Sequence, residues 1–416
     1  MSEHVKLSEV CEILNSNVDK KIKENEQKVK LCNFTDVYNN WAITKYTSKK
    51  FMKATATQNE INKFSLKKGY VAITKDSETK DDIGISTYIA DNFDNVLLGY
   101  HCTLLKPNQK VLNGKFLNAY LNSFYGRKYF SNCASGSGQR YTLTIDTIKD
   151  LNIPLINIET QQKIARTLSV LDQKIENNHK INELLHKILE LLYEQYFVRF
   201  DFLDENNKPY QTSGGKMKFS KELNRLIPND FEVKTLGELI TWISGSQPPK
   251  SCHIYEYKEG YIRFIQNRDY SSNDYITYIP ISKNNKICYQ YDIMIDKYGE
   301  AGAVRFGLQG AYNVALSKIS VLNQSMQEYI RSYLNSKPIK KYLSNACMAS
   351  TRSSLNENHI YSLMLPIPPI NLLQKYEKIA KNIITAIINN NQSTQTLTAL
   401  RDFLLPLLLK QQVKPE

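Results

Sequence analysis

Residues 143–165 read LTIDTIKDLNIPLINIETQQKIA, and residues 355–380 read LNENHIYSLMLPIPPINLLQKYEKIA. Leu143, Ile148, Leu151, Pro154, Ile158 and Gln162 match Leu355, Ile360, Leu363, Pro366, Ile370 and Gln374 at a constant offset of 212. A short insertion then carries Ile164-Ala165 onto Ile379-Ala380. Upstream, Tyr120-Leu121-Asn122-Ser123 matches Tyr333-Leu334-Asn335-Ser336, Lys128-Tyr129 matches Lys341-Tyr342, and Arg140 matches Arg352. Near the start of each half, Leu7-Ser8-Glu9-Val10 resembles Leu236-Gly237-Glu238-Leu239. Each match alone is weak, but their collinear order implies one duplicated, domain-sized unit. With two long copies, it is no solenoid.

Each copy ends in the same device. A proline-bearing, strand-like stretch leads into a long helical pattern. The first pattern runs through Ile164, Leu168, Leu171, Ile175, Asn178, Asn182, Leu185, Leu189, Leu192 and Tyr196 in alternating steps of four and three. The second runs through Ile379, Ile383, Ala386, Asn390, Ser393, Leu397, Leu400, Leu404 and Leu407, in phase at an offset of 215. A 3.5-residue period marks a coiled-coil seam, and polar seam positions fix register. The two helices are therefore expected to pair antiparallel through these residues. Pro406 is expected to kink or end the second helix. A further apolar line, Leu184, Ile188 and Leu191, is wider than a two-stranded seam needs and predicts contact with another body or protein. A helix over Ile164–Tyr196 spans about 50 Å at ~1.5 Å per residue.

Strand-like segments fall at 28–37, 66–75, 85–105, 261–268, 275–281 and 293–306, with short helices at 115–130 and 326–343. The Asn, Gly, Pro and Lys content of 201–234 reads as a linker with turns rather than a core. The fold class is α+β, with two pseudo-symmetric globular halves each followed by a long helix.

The chain has 416 residues, with 54 Lys and Arg against 41 acids and a formal net charge of +13. That balance favours a polyanionic partner, nucleic acid or an acidic membrane surface. No apolar run is long enough to cross a bilayer. The opening MSEHVKLSEV lacks the apolar core of a signal peptide, so a cytoplasmic location is expected. The seven cysteines include no C-x-x-C pair and read as reduced, individually buried thiols. Tyrosine, at 27 copies, suits base stacking as well as cores.

Chemistry-bearing motifs are sparse. No G-x-x-x-x-G-K-[ST] loop is present, and Gly136 and Gly138 make only G-x-G. The adjacent pairs His101-Cys102 and Cys252-His253 cannot close a tetrahedral site alone. An N-P-P-aromatic methyltransferase tetrad is also missing. The chain reads as noncatalytic, with no metal site of its own. Candidate phosphate and base contacts are Lys30, Lys75, Lys80, Arg140 and Tyr141 in the first copy. In the second they are Arg263, Arg268, Lys297, Arg305 and Arg352. Arginine can read guanine bidentately, while lysine mostly holds phosphate. Arg140 and Arg352 stand out because they occupy equivalent polar loops.

The two Pro-strand–Gln–helix junctions, LNIPLINIETQQKIARTLSVLDQKIENN and LMLPIPPINLLQKYEKIA, carry a family resemblance. So does the central run LLYEQYFVRFDFLDENNKPYQTSGGKMKFSKELNRLIPNDFEVKTLGELI. Together with the repeat layout, they resemble the specificity subunit of a type I restriction–modification enzyme. The resemblance implies target-recognition domains at 1–160 and 235–372, conserved helices at 161–200 and 373–411, and a linker at 201–234. It implies an asymmetric bipartite target on double-stranded DNA, with the helix pair separating the two recognition domains. Two modification subunits carrying S-adenosylmethionine, and restriction subunits using ATP and Mg, are the implied partners. The chain itself is then expected to hold no cofactor. Other readings left open are the specificity subunit of a two-subunit type II or phage-exclusion system, and a coiled-coil adaptor that does not bind DNA. Pro406 and the charged stretch NVDKKIKENEQKVK, which has no counterpart after residue 245, depart from a simple duplication.

Overall fold

The computed structural model describes residues 3–136, 139–273, 275–348 and 354–413. The chain divides into two units. The first is Met1–Asn178 with Ser393–Glu416, and the second is His179–Gln392. Each therefore contains one globular copy, part of the first long helix and part of the second.

The repeat seen in the sequence is a repeat of hydrogen bonds. In the first unit the proline strand Asn152–Leu155 pairs antiparallel with Glu3–Lys6, and Leu7 N donates to Leu151 O. In the second unit Met364–Ile367 pairs with Glu232–Thr235, and Leu236 N donates to Leu363 O. A two-stranded ribbon tolerates proline because it has a free edge. The matched Tyr-Leu-Asn-Ser motifs end equivalent helices, Gly114–Asn122 and Gln327–Asn335. There the Tyr120 hydroxyl donates to Asn152 O, and the Tyr333 hydroxyl to Met364 O, each at 3.0 Å. The serine that follows breaks each expected helix in two, with Phe124–Cys133 and Lys337–Met348 as the second pieces.

The first unit holds a five-stranded sheet in which Cys11–Asn15, Cys102–Pro107, Val71–Thr74 and Ser86–Ile89 lie side by side, with Ala42–Ile43 at the edge. The second repeats four of these strands in the same order: Ile240–Ser244, Leu316–Val321, Ile293–Asp296 and Val304–Arg305. The strands are short and strongly apolar because helices cover them, as Phe116 and Leu117 share the first core with Leu105.

The long helices run Ile158–Tyr193, continued by a π-helical turn at Glu194–Val198, and Ile370–Leu409. Asn157 caps the first, its Oδ1 accepting from Thr160 N. Gln161 is fully buried beside it and uses its whole amide: Nε2 donates to Val111 O and Ile156 O, and Oε1 accepts from Asn113 N. The helices contact each other, and the seam turns polar where expected. In the first unit Asn178 Nδ2 donates to Thr394 Oγ1 at 3.2 Å, while Ile164 and Leu168 share a core with Leu405 and Leu408. In the second unit Asn182 donates to Asn391 Oδ1 at 2.8 Å and accepts from Asn390 Nδ2 at 2.9 Å.

Three expectations differ from the structure. Ile379 and Leu400 are expected in the seam, yet each is 41% exposed. The buried stripe is Tyr376, Ala380, Ile384 and Ile387. A strict heptad drifts by about 20° per repeat around a straight helix, and here the helix also packs on its globular domain. Leu171, Ile175, Leu185, Leu189, Leu192, Ile383, Leu397 and Leu404 are half-buried. Pro406 lies within the helix, which runs on only to Leu409. Segment 201–234 is folded rather than a linker. Phe200, Phe202, Ile227 and Phe231 are buried in the second core, and Met217–Ser220 pairs with Arg225–Pro228. Among the described residues no cysteine is in a disulfide, but Cys133 is exposed and Cys252 half-buried, so not every thiol is a core residue.

Candidate nucleic-acid interface

Three of the first copy's candidates come together. Lys75 ends a core strand, its N–H donating to His101 O and its carbonyl accepting from Leu143 N. Those two backbone bonds draw 100–101 and 140–143 alongside it. Asp76–Ser77 then pairs with Tyr141–Thr142, which pairs with Ser135–Gly136. Gly136 permits this closure, because a Cβ there would lie 2.5 Å from Arg140 O. Side chains from three segments converge: the Lys75 ammonium lies 4.6 Å from the centre of the Tyr100 ring, and Tyr100 packs edge-on against His101. His101 Nδ1–H donates to Asp76 Oδ2 at 2.9 Å, and Thr142 Oγ1–H donates to Asp76 Oδ1. Arg140 is exposed, its Nη2 3.4 Å from His101 Nδ1. That nitrogen already bears the hydrogen facing Asp76, so Arg140 gains no hydrogen bond there.

Lys80 lies exposed in the following loop. Lys30 stands apart from the cluster, its ammonium donating to the carbonyls of Ser48 and Lys49.

In the second copy Lys297 occupies the frame of Lys75. Its N–H donates to Ala315 O, and its carbonyl accepts from Leu355 N, the partner of Leu143 in the repeat. Burial holds its ammonium below the usual lysine range. The same bookkeeping makes Ala315 the counterpart of His101, Val314 of Tyr100 and Tyr298 of Asp76. The backbone frame is common to both copies and the side chains on it are not. Arg352 lies outside the described residues.

The remaining second-copy candidates separate by environment. Arg268 is exposed, its guanidinium 5.8 Å from the ring centre of Tyr275. Arg263 donates from Nη2 to Asn273 Oδ1 at 2.8 Å, while its buried Nε has no partner among the described residues. Arg305 is committed internally: Nε and Nη2 both donate to Asp296 Oδ2, and Nη2 also meets Glu300. Burial disfavours the guanidinium charge, but Asp296 and Glu300 outweigh it and raise the pKa. As a contact expected from sequence, Arg305 is corrected to a brace across its own hairpin. The second copy also displays Tyr255, Tyr257, Tyr275 and Tyr289 with more than half of each side exposed.

Sequence reading missed His101, Asp76 and Tyr100. In a strand-like run adjacent residues, such as His101 and Cys102, face opposite ways. With the cysteines expected to be buried, Cys102 inside the strand-like run 85–105 is the signal that points His101 outward, and Cys102 is fully buried.

The apolar line beyond the seam is exposed along the second unit: Ile181, Leu184, Ile188 and Leu191 are each 45% exposed or more. Phe219 and Leu226 of the short hairpin are also exposed. Among the described residues, no helix is long and apolar enough to cross a membrane.

A family model described as the type I restriction modification DNA specificity domain matches residues 2–187 and, again, 228–399. The chain belongs to this family. It is a DNA specificity subunit of a type I restriction–modification system, the noncatalytic component of the enzyme. The two matched spans coincide with the two copies of the repeat. The chain is 28% identical over 356 residues to the MjaIX specificity subunit of Methanocaldococcus jannaschii, covering 84% of this chain and 76% of that one. It is 23% identical over 408 residues to the HindI specificity subunit of Haemophilus influenzae, covering 84% and 88%. The crystal structure of a type I restriction–modification S subunit from M. genitalium shares the fold, with a TM-score of 0.57 and 17% identity, covering 98% of this chain and 96% of that one. A specificity subunit works within a complex with partner subunits and DNA.

Proposed function

We propose that the two units read unlike halves of an asymmetric, bipartite target on double-stranded DNA, each through the loops around Lys75 or Lys297. The observation that carries this reading is the frame those lysines share. Both copies make the same two backbone bonds, yet the positions of His101, Tyr100 and Asp76 in one are taken by Ala315, Val314 and Tyr298 in the other. One scaffold with different side chains suits two different short words. In the first unit Lys75, Lys80, Arg140 and Tyr141 meet phosphate or base edges, with Lys30 adding charge. In the second, Lys297, Arg263 and Arg268 do so, aided by the exposed tyrosines.

Two modification subunits dock along the helices, with Leu184, Ile188 and Leu191 as apolar anchors, and they hold S-adenosylmethionine. Restriction subunits bring ATP, Mg and the nuclease. The chain itself holds no cofactor, and the complex acts in the cytoplasm. Mapping methylated adenines in cells that carry this chain with its modification subunits tests the reading. Two unlike words at a fixed spacing are expected, and one continuous palindrome would refute it.

A further inference from the structure

His101 is held as a residue with a task, and packing is not that task. The side chain is about one-third exposed, and Nδ1–H is fixed on Asp76 Oδ2 at 2.9 Å. Asp76 is itself mostly buried and is steadied by the Thr142 hydroxyl. Among the described residues, none takes Nε2. The second copy has Ala315 on the same backbone frame, so the fold forms without an imidazole there. An aspartate that fixes one imidazole nitrogen decides what the other can do. With its hydrogen on Nδ1, the neutral ring offers Nε2 only as an acceptor. DNA phosphates have no hydrogen to donate. The exocyclic amines of adenine and cytosine do, and both lie in the major groove. Lys75 and Arg140, on either side, supply charge for the flanking phosphates.

We infer that His101, positioned by Asp76, is a specificity-determining residue of the first recognition domain, its Nε2 accepting from an adenine N6 or cytosine N4 amine in the target. This rests on the proposed reading of DNA by the first unit. Asp76 is a positioning residue and touches no base.

The test uses the methyltransferase assembled from the full chain and its modification subunits, on duplexes bearing the mapped target. At each adenine or cytosine of the first half-site, the base is replaced by purine or 2-pyrimidinone, which lack the amine. Wild type is expected to lose about 10- to 100-fold in affinity at one position. The position that responds says whether the base is adenine or cytosine. His101→Ala, which copies the second repeat, is expected to lose the same factor on the natural duplex and to ignore the analogue. Asp76→Asn is expected to weaken discrimination at that position alone, with an unchanged unfolding midpoint. An even loss across all duplexes with a smaller salt slope would make His101 a phosphate contact and overturn the inference. So would unchanged binding, or an effect in the second half-site. A wild-type complex without any base preference would instead bring down the proposed function, and this assignment with it.

Discussion

Phe231→Ala is the sharpest test of whether segment 201–234 belongs to the second core. The Phe231 ring is fully buried, stacked on Phe202 at 5.9 Å and edge-on to Phe200 at 5.5 Å. Phe202 in turn stacks on Tyr210 at 4.9 Å, and the Arg225 guanidinium covers Phe200 at 4.7 Å. Removing such a ring costs ~3–5 kcal/mol, from lost transfer energy and from the cavity left behind. In a mere tether the same change would cost under about 0.5 kcal/mol. The chain has only two tryptophans, Trp41 in the first unit and Trp242 in the second. In a Trp41→Phe background, fluorescence therefore follows the second unit alone. With a urea slope of about 2–3 kcal/mol per molar, the midpoint is expected to fall by about 1–2 M. Phe219→Ala, on the exposed hairpin, is the control and is expected to move it little. Equal small shifts for the two variants would show that the aromatic stack carries no stability, and the tether description would stand.

Arg140→Ala is expected to leave the unfolding midpoint unchanged, since no described residue accepts a hydrogen bond from the guanidinium, while DNA affinity weakens and the salt slope falls by about one. Salt titrations on matched duplexes check this, and unaltered binding would retire Arg140 as a contact. Asp172 has its carboxyl pushed up to about 6, first by burial and then by Glu176, against the pull of Arg401. A raised carboxyl pKa favours the protonated form, so this group's cost is felt above pH 6 and fades as pH falls toward 4. Asp172→Asn is expected to stabilise the first unit at pH 8 by up to ~3 kcal/mol and to flatten that dependence, read through Trp41. Leu184→Asp with Ile188→Asp is expected to leave the chain folded and abolish capture of the modification subunits in a pull-down. Retained assembly would place the docking surface elsewhere.

Much of the architecture was legible because the repeat preserved residues that make specific bonds. Tyr120 and Tyr333 matched in sequence because each hydroxyl ties a helix to its closing strand. Asn178, Asn182 and Asn390 interrupted the apolar period because they meet polar partners across the helix pair. The central aromatic stack was hidden: Phe200, Phe202, Tyr210 and Phe231 follow no period and sit among turn residues. The interface was hidden for a different reason. Asp76 lies 25 residues from His101, and only the sheet brings them together. Arg305 looked like a free cation because its hairpin partners, Asp296 and Glu300, differ from it by no local sequence rule.

The division of the helices has a consequence for biosynthesis. The first unit is not finished when its globular part leaves the ribosome, because Leu405 and Leu408 belong to the core around Ile164 and Leu168. The second unit ends at Gln392. At roughly 5–20 residues per second, the ribosome spends ~10–50 s between Leu168 and Leu405. Throughout that interval Ile164 and Leu168 lack Leu405 and Leu408 as partners, and Trp41 lacks the guanidinium of Arg401. The half synthesised first is thus completed only by the last helix to be made.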